Sequence, residues 1–268
     1  MADTAPVPLR VLFKGASTVT WQSPGPDGAT RWTYPRVLEQ ELARDGVETR
    51  TTISAMSAER ATSILRTWEQ EVSSHSPDVI VLHYGHMECI HGVIPRWFER
   101  HARAGTERPG PIRDRYRHHV LRPVWKIAVK GQQAIDRLLP ARVFRRRPAQ
   151  VVALLERYIG WVHRISDPLV VVMGLTAPGE RYADWFPGIV HRTPAMEAAL
   201  RDMVERLDSP RVVFLPVWDD AAAWLERGEA PVPDGAHYTP AFHRHVGARL
   251  ANLLRPWIAT QPHLRQHD

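Results

Sequence analysis

Cysteine is almost absent from this sequence, and long apolar runs are missing altogether. Its 268 residues include one cysteine, Cys89, which excludes an intrachain disulfide and a metal site built from several cysteines. No stretch approaches the roughly 18 consecutive apolar residues of a transmembrane helix. The first residues also lack the cationic start and apolar run of a secretory signal. These absences predict a soluble, cytoplasmic protein without a transmembrane segment.

Glycine-rich phosphate-binding motifs are missing as well. The sequence contains neither G-x-x-x-x-G-K-[ST] nor G-x-G-x-x-G, so nucleotide binding has no support from the sequence. The apolar content of 44% and the charged content of 24% are typical of a globular protein. A chain of this length is sufficient to bury a substantial core.

Acidic residues are scarce in one segment, residues 96–147. This segment has fifteen Arg or Lys and four acids, whereas the whole chain has a net charge of only +6. Three interpretations remain open: a helical insertion with a solvated Arg-rich face, a lid or entrance to an active site, or a surface that contacts an anionic partner, either membrane lipid or nucleic acid. Aromatic residues form no stacking array here, so no nucleic-acid partner is expected.

Short apolar runs alternate with stretches of helical periodicity. The runs are typical of buried parallel strands and cover residues 9–13, 47–53, 79–83, 169–173 and 212–216. Helices are predicted at residues 34–44, 58–73, 150–165, 194–207 and 240–254. This alternation predicts one α/β domain with a mostly parallel five-stranded sheet covered on both faces. A basic helical insertion at about residues 95–148 interrupts it, with a helix over residues 120–139 whose apolar residues are expected to share one side.

The residues that follow the strands are candidates for chemistry, because ligands of such sheets bind beyond the carboxyl ends of the strands. Ser17 follows the first strand, Gly85 the third, and Asp234 and His237 lie beyond the fifth. Together they predict nucleophilic catalysis, in which Ser17 attacks an acyl carbon, His237 removes its proton and Asp234 orients the imidazole. The backbone N–H groups of Ser17 and Gly85 are the expected oxyanion donors.

The order of these residues resembles that of the SGNH, or GDSL-like, hydrolase family. In that family G-D-S follows the first strand, a glycine follows the second, G-x-N-D follows the third, and D-x-x-H precedes the last helix. The corresponding segments here are residues 15–17, 54–59, 85–88 and 234–237. The resemblance covers residues 8 to 255 without the basic insertion, and it implies a three-layer α/β/α, flavodoxin-like fold.

Three positions depart from the pattern of the family. Ala16 replaces the usual Asp of the first block, and Ser57 or Ala58 stands in place of the glycine of the second, where Ser57 would supply a backbone N–H to the oxyanion. Met87 stands where the family has an Asn that donates to the oxyanion. Loss of one such donor costs about 2.7–4 kcal/mol of transition-state stabilisation. Either a neighbour such as His86 substitutes, or the reaction differs, or activity is low.

Other polar residues near the third strand allow a second interpretation. His83, His86 and His91 with Glu88 could suggest a metal site, but they lack the helical H-E-x-x-H arrangement. We therefore expect His86 and Glu88 to line a substrate pocket. Trp185 follows the fourth strand and is a candidate wall of the same pocket. No metal and no organic cofactor are implied.

The resulting prediction is a serine-dependent hydrolase that cleaves a small-molecule ester, or transfers its acyl group, through an acyl-enzyme on Ser17. The alternative is a catalytically weak or inactive protein of the same fold. That protein would use residues 96–147 to bind a partner or to contact an anionic surface peripherally.

Overall fold

A five-stranded parallel sheet forms the centre of the protein, for which a computed structural model describes residues 7–23, 33–90, 94–95, 97–98, 101, 110–139, 147–261 and 264. In the described residues the strands are β1 (Leu9–Gly15), β2 (Thr49–Ala55), β3 (Val79–His83), β4 (Leu169–Met173) and β5 (Val212–Leu215). Their order is β2-β1-β3-β4-β5, and every neighbouring pair is parallel.

Helices connect the strands. They are α1 (Tyr34–Arg44), α2 (Trp68–His75), α3 (His86–Ile90), α4 (Pro111–Tyr116), α5 (Arg122–Leu138), α6 (Arg147–Val162), α7 (Glu180–Trp185), α8 (Ile189–Leu207), α9 (Trp218–Glu226) and α10 (Pro240–Ile258). Two 3-10 turns lie at Ser17–Val19 and Ala61–Ser63, and one turn of π-helix, Arg117–Leu121, joins α4 to α5. No helix among these described segments is long and apolar enough to cross a membrane.

The central strands are buried on both faces, which explains why β3 and β4 are almost continuously apolar. The edge strand β2, by contrast, is partly exposed and mostly polar. On β1, Leu12 belongs to the core on the side of α2, α6 and α8, whereas Val11 and Phe13 belong to the core on the side of α1 and α10. Successive side chains alternate between faces because the strand has a period of two. The predicted α/β/α fold with a parallel five-stranded sheet is confirmed.

The predicted helix at residues 58–73 is wrong in its first half. Residues 61–63 form the 3-10 turn instead, and the helix begins only at Trp68. Ala58 has a φ of +52°, in the left-handed region that no residue inside an α-helix adopts. The Glu88 carboxylate also accepts the N–H of Ala61 at 2.8 Å, so a tertiary contact holds this segment in its turn.

Several predicted boundaries also shift. Strand β2 begins two residues later than predicted, while α8 begins at Ile189 rather than Pro194. Pro194 lies inside α8, where its missing N–H removes one backbone hydrogen bond. Because proline is favoured in first turns, the sequence pattern placed the start of the helix too late.

Helix α5 lies in the predicted insertion, but its inward side is not the apolar side that the sequence suggested. Leu121, Gln132 and Asp136 are buried. Ile127 and Leu138, by contrast, are 70% and 78% exposed. The inward face is therefore partly polar, and its polar groups are paired with partners in the α/β core.

Candidate active site

The register of the sheet brings three predicted oxyanion donors to the same level. Gly15, at the end of β1, pairs with Ala55 of β2 on one side and with His83 of β3 on the other. Ser17, Ser57 and Gly85 each follow one of these aligned residues by two positions. Since β1 lies between β2 and β3, the Ser17 turn is flanked by the loops that carry the other two residues.

Ser17, His237 and Asp234 form a continuous chain of hydrogen bonds. Ser17 Oγ lies 2.9 Å from His237 Nε2, and His237 Nδ1 lies 2.7 Å from Asp234 Oδ2. Both distances are within the range expected for a nucleophile, a base and an orienting carboxylate. Ser17 is 7% exposed, and the two other side chains are partly buried. The three residues predicted from the strand ends are thus in contact, although 220 positions separate Ser17 from His237.

The Asp234 carboxylate is fixed by its own loop. Its Oδ1 accepts the backbone N–H groups of Ala236 at 2.9 Å and His237 at 2.8 Å, while Oδ2 bonds to the imidazole. Partial burial acts to raise the pKa of Asp234, but the hydrogen bonds from His237 and Ala236 outweigh it and lower that pKa. Asp234 is therefore an ionised acceptor at neutral pH, which holds the proton of the imidazole on Nδ1.

Gly235, between the two catalytic candidates, has a conformation and a contact that exclude a side chain. Its φ is +89°, in the left-handed region, and a Cβ atom here would lie 2.0 Å from Cδ2 of Tyr182. Tyr182 belongs to α7, so this helix packs directly against the loop that carries Asp234 and His237. Thr18 Oγ1 donates to the Ala236 carbonyl at 3.2 Å and ties the same loop to the Ser17 turn.

Trp21 is a site residue that the sequence prediction missed. Its ring lies 5.5 Å from the His237 ring, and 55% of its surface is exposed. The N–H of Trp21 donates to the Ser17 carbonyl at 2.7 Å, and His243 Nε2 donates to the Trp21 carbonyl at 3.0 Å. The sequence places Trp21 four residues after Ser17, but no sequence pattern predicts that this segment folds back over His237.

His243 and His83 are buried, neutral histidines behind the site. His243 Nδ1 accepts the Tyr34 N–H at 3.1 Å, and burial lowers its pKa to about 4. His83 Nδ1 lies 3.2 Å from the Tyr34 hydroxyl, and burial, with the neighbouring His86 and His243, lowers its pKa to about 3. Both imidazoles therefore serve as hydrogen-bonding groups of the core.

The alternative interpretation was a metal site formed by His83, His86, His91 and Glu88. His91 lies outside the described residues. Within the described ranges, no group of three His, Cys, Asp or Glu side chains is arranged to hold a metal ion. Glu88 is 3% exposed, and its carboxylate accepts the Ala61 N–H. Glu88 thus connects the third block to the second, rather than presenting its carboxylate to solvent.

The loops that carry the candidate oxyanion donors Gly85 and Ser57 differ in backbone conformation. Gly85 has a φ of +111°, and a Cβ atom there would lie 2.9 Å from Met196 Cγ, so only glycine fits. Ser57 is exposed in a turn, and the next residue, Ala58, has the positive φ that glycine adopts without strain. Ala58 therefore takes the conformation expected of the glycine that this segment lacks.

His86 is the polar side chain next to the missing amide. Met87 is buried in the apolar core and brings no donor. His86 is 7% exposed, and its Nε2 has no hydrogen-bond partner. Burial and the nearby His237 lower the pKa of His86 to about 4, against the opposing effects of the Gly235 carbonyl and the Asp234 carboxylate. A neutral imidazole with an unpaired ring nitrogen thus lies beside the candidate triad.

Trp185 lies at the end of α7, one helical turn from Tyr182. Its ring is 46% exposed and lies 5.3 Å from the Arg181 guanidinium. It borders a groove of about 620 Å³ that is also lined by Trp125, Lys126 and Lys130 of α5. Trp185 therefore faces the basic insertion, and no hydrogen bond or ring contact joins it to the described residues of the triad.

No family model matches the sequence, and no curated protein matches it. Solved structures with a similar fold do exist. A carbohydrate acetylesterase family member from Sinorhizobium meliloti has a TM-score of 0.57 at 16% identity, with 94% of this chain and 99% of that chain covered. The aryl esterase of M. smegmatis has a TM-score of 0.55 at 16% identity, covering 92% and 99%. The lipase Lip_vut3 from a goat rumen metagenome has a TM-score of 0.59 at 12% identity, covering 91% and 96%.

At sequence identities of 12–16%, the similarity shows a shared fold and nothing more specific. The chain has the fold of the SGNH, or GDSL-like, hydrolases, as the order of its blocks predicted. The solved structures compared above are named as esterases and a lipase.

Proposed function

We propose that this protein hydrolyses an ester of a small molecule through an acyl-enzyme on Ser17. The observation that carries the proposal is the hydrogen-bonded chain from Ser17 Oγ through His237 to Asp234. These hydrogen bonds lie at the edge of the sheet where the carboxyl ends of the strands meet, in a fold that is shared with esterases. A turn alone does not require His237 Nε2 to lie within hydrogen-bond distance of a serine hydroxyl. This contact therefore favours a catalytic role over a purely structural one.

The first half of the reaction forms the acyl-enzyme. Ser17 Oγ attacks the ester carbonyl carbon while His237 Nε2 takes the proton of the hydroxyl. Asp234 stabilises the imidazolium that results. The carbonyl oxygen becomes an oxyanion, which accepts hydrogen bonds from the backbone N–H groups of Ser17, Ser57 and Gly85. When the tetrahedral intermediate collapses, the C–O bond breaks and His237 gives its proton to the leaving alcohol.

The second half releases the acid. Water replaces the alcohol, His237 removes a proton from it, and the hydroxide attacks the acyl carbon. The same oxyanion donors act again, and collapse of the intermediate returns the proton to Ser17 Oγ. Transfer to another alcohol would follow the same steps with that alcohol in place of water. Trp21, whose ring lies 5.5 Å from that of His237, is placed to shield the imidazole from solvent.

The proposal is tested by labelling with a fluorophosphonate probe and by turnover of short-chain p-nitrophenyl esters. We expect the wild-type protein to be labelled and to release p-nitrophenol. Ser17→Ala should lose the label entirely, because the probe bonds to the serine oxygen. Ser73→Ala, at an exposed serine of α2, is the control and should keep it. A wild-type protein that neither labels nor turns over would favour the alternative, a non-catalytic protein of this fold.

We also propose that His86 supplies the donor that Met87 cannot. A neutral imidazole has a single ring N–H. With that proton on Nε2, the nitrogen that has no partner, His86 would donate to the substrate oxyanion and so satisfy a buried polar group. His86→Ala is therefore expected to lower kcat by about 10²–10³-fold, as loss of one oxyanion donor does, with KM changed much less. His86→Gln retains an N–H donor and should recover part of kcat. An equal loss of kcat in both variants, or a change in KM alone, would contradict this role.

A further inference from the structure

The basic helix has a fixed orientation relative to the α/β core. Gln132 Nε2 donates to the Ile90 carbonyl at 2.7 Å. The Asp136 carboxylate pairs with the Arg192 guanidinium at 2.5 and 2.9 Å and accepts the Gly188 N–H at 3.2 Å. These contacts are buried, so they determine which side of α5 faces the protein and which side faces out.

The outward side carries an apolar stripe. We define it by Ile112 on α4, Val120 in the π-helical turn, and Val124, Ile127 and Leu138 on α5. All five are exposed; Ile112 has the largest exposed fraction, 87%. Val120, Val124 and Ile127 follow each other by four and three positions, and Leu138 lies three turns beyond Ile127, so they share one side of the helix. A globular protein exposes single apolar residues often, but a contiguous stripe indicates an interaction site.

One flank of the stripe is cationic. Arg122, Lys126, Lys130 and Arg137 recur at intervals of four and seven positions and therefore share a side of α5. Among the described residues, no carboxylate lies within ion-pairing distance of Lys126, Lys130 or Arg137. The acids of residues 110–139 are Asp114 and Asp136, and Asp136 is buried in its pair with Arg192. The exposed face of the helix is thus apolar in the middle and positive beside it.

We propose that the outward face of residues 111–139 lies on a membrane surface that contains anionic lipids. A helix that binds in the interface of a bilayer has an apolar face for the acyl chains and cations for the headgroups, and both are present here. Nucleic acid would pair with the cations but leave the apolar stripe in water. A second copy of this chain would cover the stripe but would bring a flank of the same sign against it.

The proposed surface also lies next to the candidate active site. The groove of about 620 Å³ is shared between α5, through Trp125 and Lys126, and α7, through Trp185. Helix α7 packs on Gly235 through Tyr182. A membrane-bound α5 would place this groove near the lipid, although binding itself does not depend on the chemistry proposed for Ser17.

The test is sedimentation of the full-length protein with vesicles. We expect binding to vesicles of phosphatidylcholine with phosphatidylglycerol and much weaker binding to phosphatidylcholine alone. Lys126→Gln with Lys130→Gln should lower the affinity about 25-fold, since each cation near an anionic surface contributes about fivefold. Ile127→Ser with Leu138→Ser should lower it at least about tenfold, because both side chains would otherwise enter the apolar region.

Matched controls lie elsewhere on the surface. Leu225→Ser removes an exposed apolar residue of α9, and Arg50→Gln removes an exposed cation of β2; both should bind vesicles as the wild type does. Equal binding to neutral vesicles, no binding at all, or loss of affinity only in the cation variant would overturn the proposal. A dimer in sedimentation velocity that the Ile127→Ser, Leu138→Ser variant dissociates would identify a second copy as the occupant and also overturn it. Activity on soluble esters in all variants tests Ser17 separately.

Discussion

His237→Gln is expected to lower kcat for ester hydrolysis by about 10⁶-fold. Glutamine cannot accept the proton of the Ser17 hydroxyl, so the nucleophile is no longer activated. In the proposed mechanism the loss is so large because serine, base and carboxylate act as a unit. Hydrogen bonds to the oxyanion and substrate binding remain, so the residual rate should still exceed that of the uncatalysed reaction.

Asp234→Asn provides the complementary measurement. The Asn oxygen can still accept the N–H groups of Ala236 and His237, so the loop keeps its shape. The amide can no longer stabilise the imidazolium, and its NH₂ group favours the wrong tautomer; a loss of about 10⁴-fold in kcat is expected. His245→Gln, on α10 outside the triad, is the control. If His237→Gln stays within tenfold of the wild type while folded, His237 is not the base.

Arg192→Met is expected to lower the free energy of unfolding by about 3–5 kcal/mol, because it leaves the buried Asp136 carboxylate without its partner. Both side chains of the pair are almost fully buried. Arg192 Nε also donates to the Cys89 carbonyl at 2.6 Å. In Arg192→Met this buried carbonyl would lose its donor. Chemical denaturation followed by circular dichroism measures the change.

Two further variants show whether the destabilisation in Arg192→Met comes from the unpaired, buried charge of Asp136. Replacing both partners, Asp136→Leu with Arg192→Met, removes the uncompensated charge and should recover part of the stability. Arg206 lies on α8, the same helix as Arg192. Arg206→Met breaks an exposed ion pair with Glu156 of α6 and should cost less than about 1 kcal/mol. If Arg192→Met is no more destabilising than Arg206→Met, the pair does not anchor the insertion helix.

The strands and the contact between the candidate triad residues could be predicted for physical reasons that lie in the sequence. Strands buried on both faces must be apolar along their whole length, so β3 and β4 were found with their boundaries unchanged. Parallel strands end at one edge, so Ser17 and His237 were expected to meet despite their separation in the chain. The segment at residues 58–73 could not be predicted, because the hydrogen bond that Ala61 N–H donates to the distant Glu88 competes with its helical periodicity.

By itself, the sequence determined the α/β fold and the three residues of the candidate triad, since both depend on residue type and order along the chain. The tertiary structure alone decided that the Trp21 ring lies beside His237 and that His86 keeps an unpaired nitrogen beside the missing amide. It also decided that α5 turns Asp136 inward and its apolar stripe outward. Helical periodicity defines the faces of a helix, but which face is buried depends on the partners, such as Arg192, that other elements bring to it.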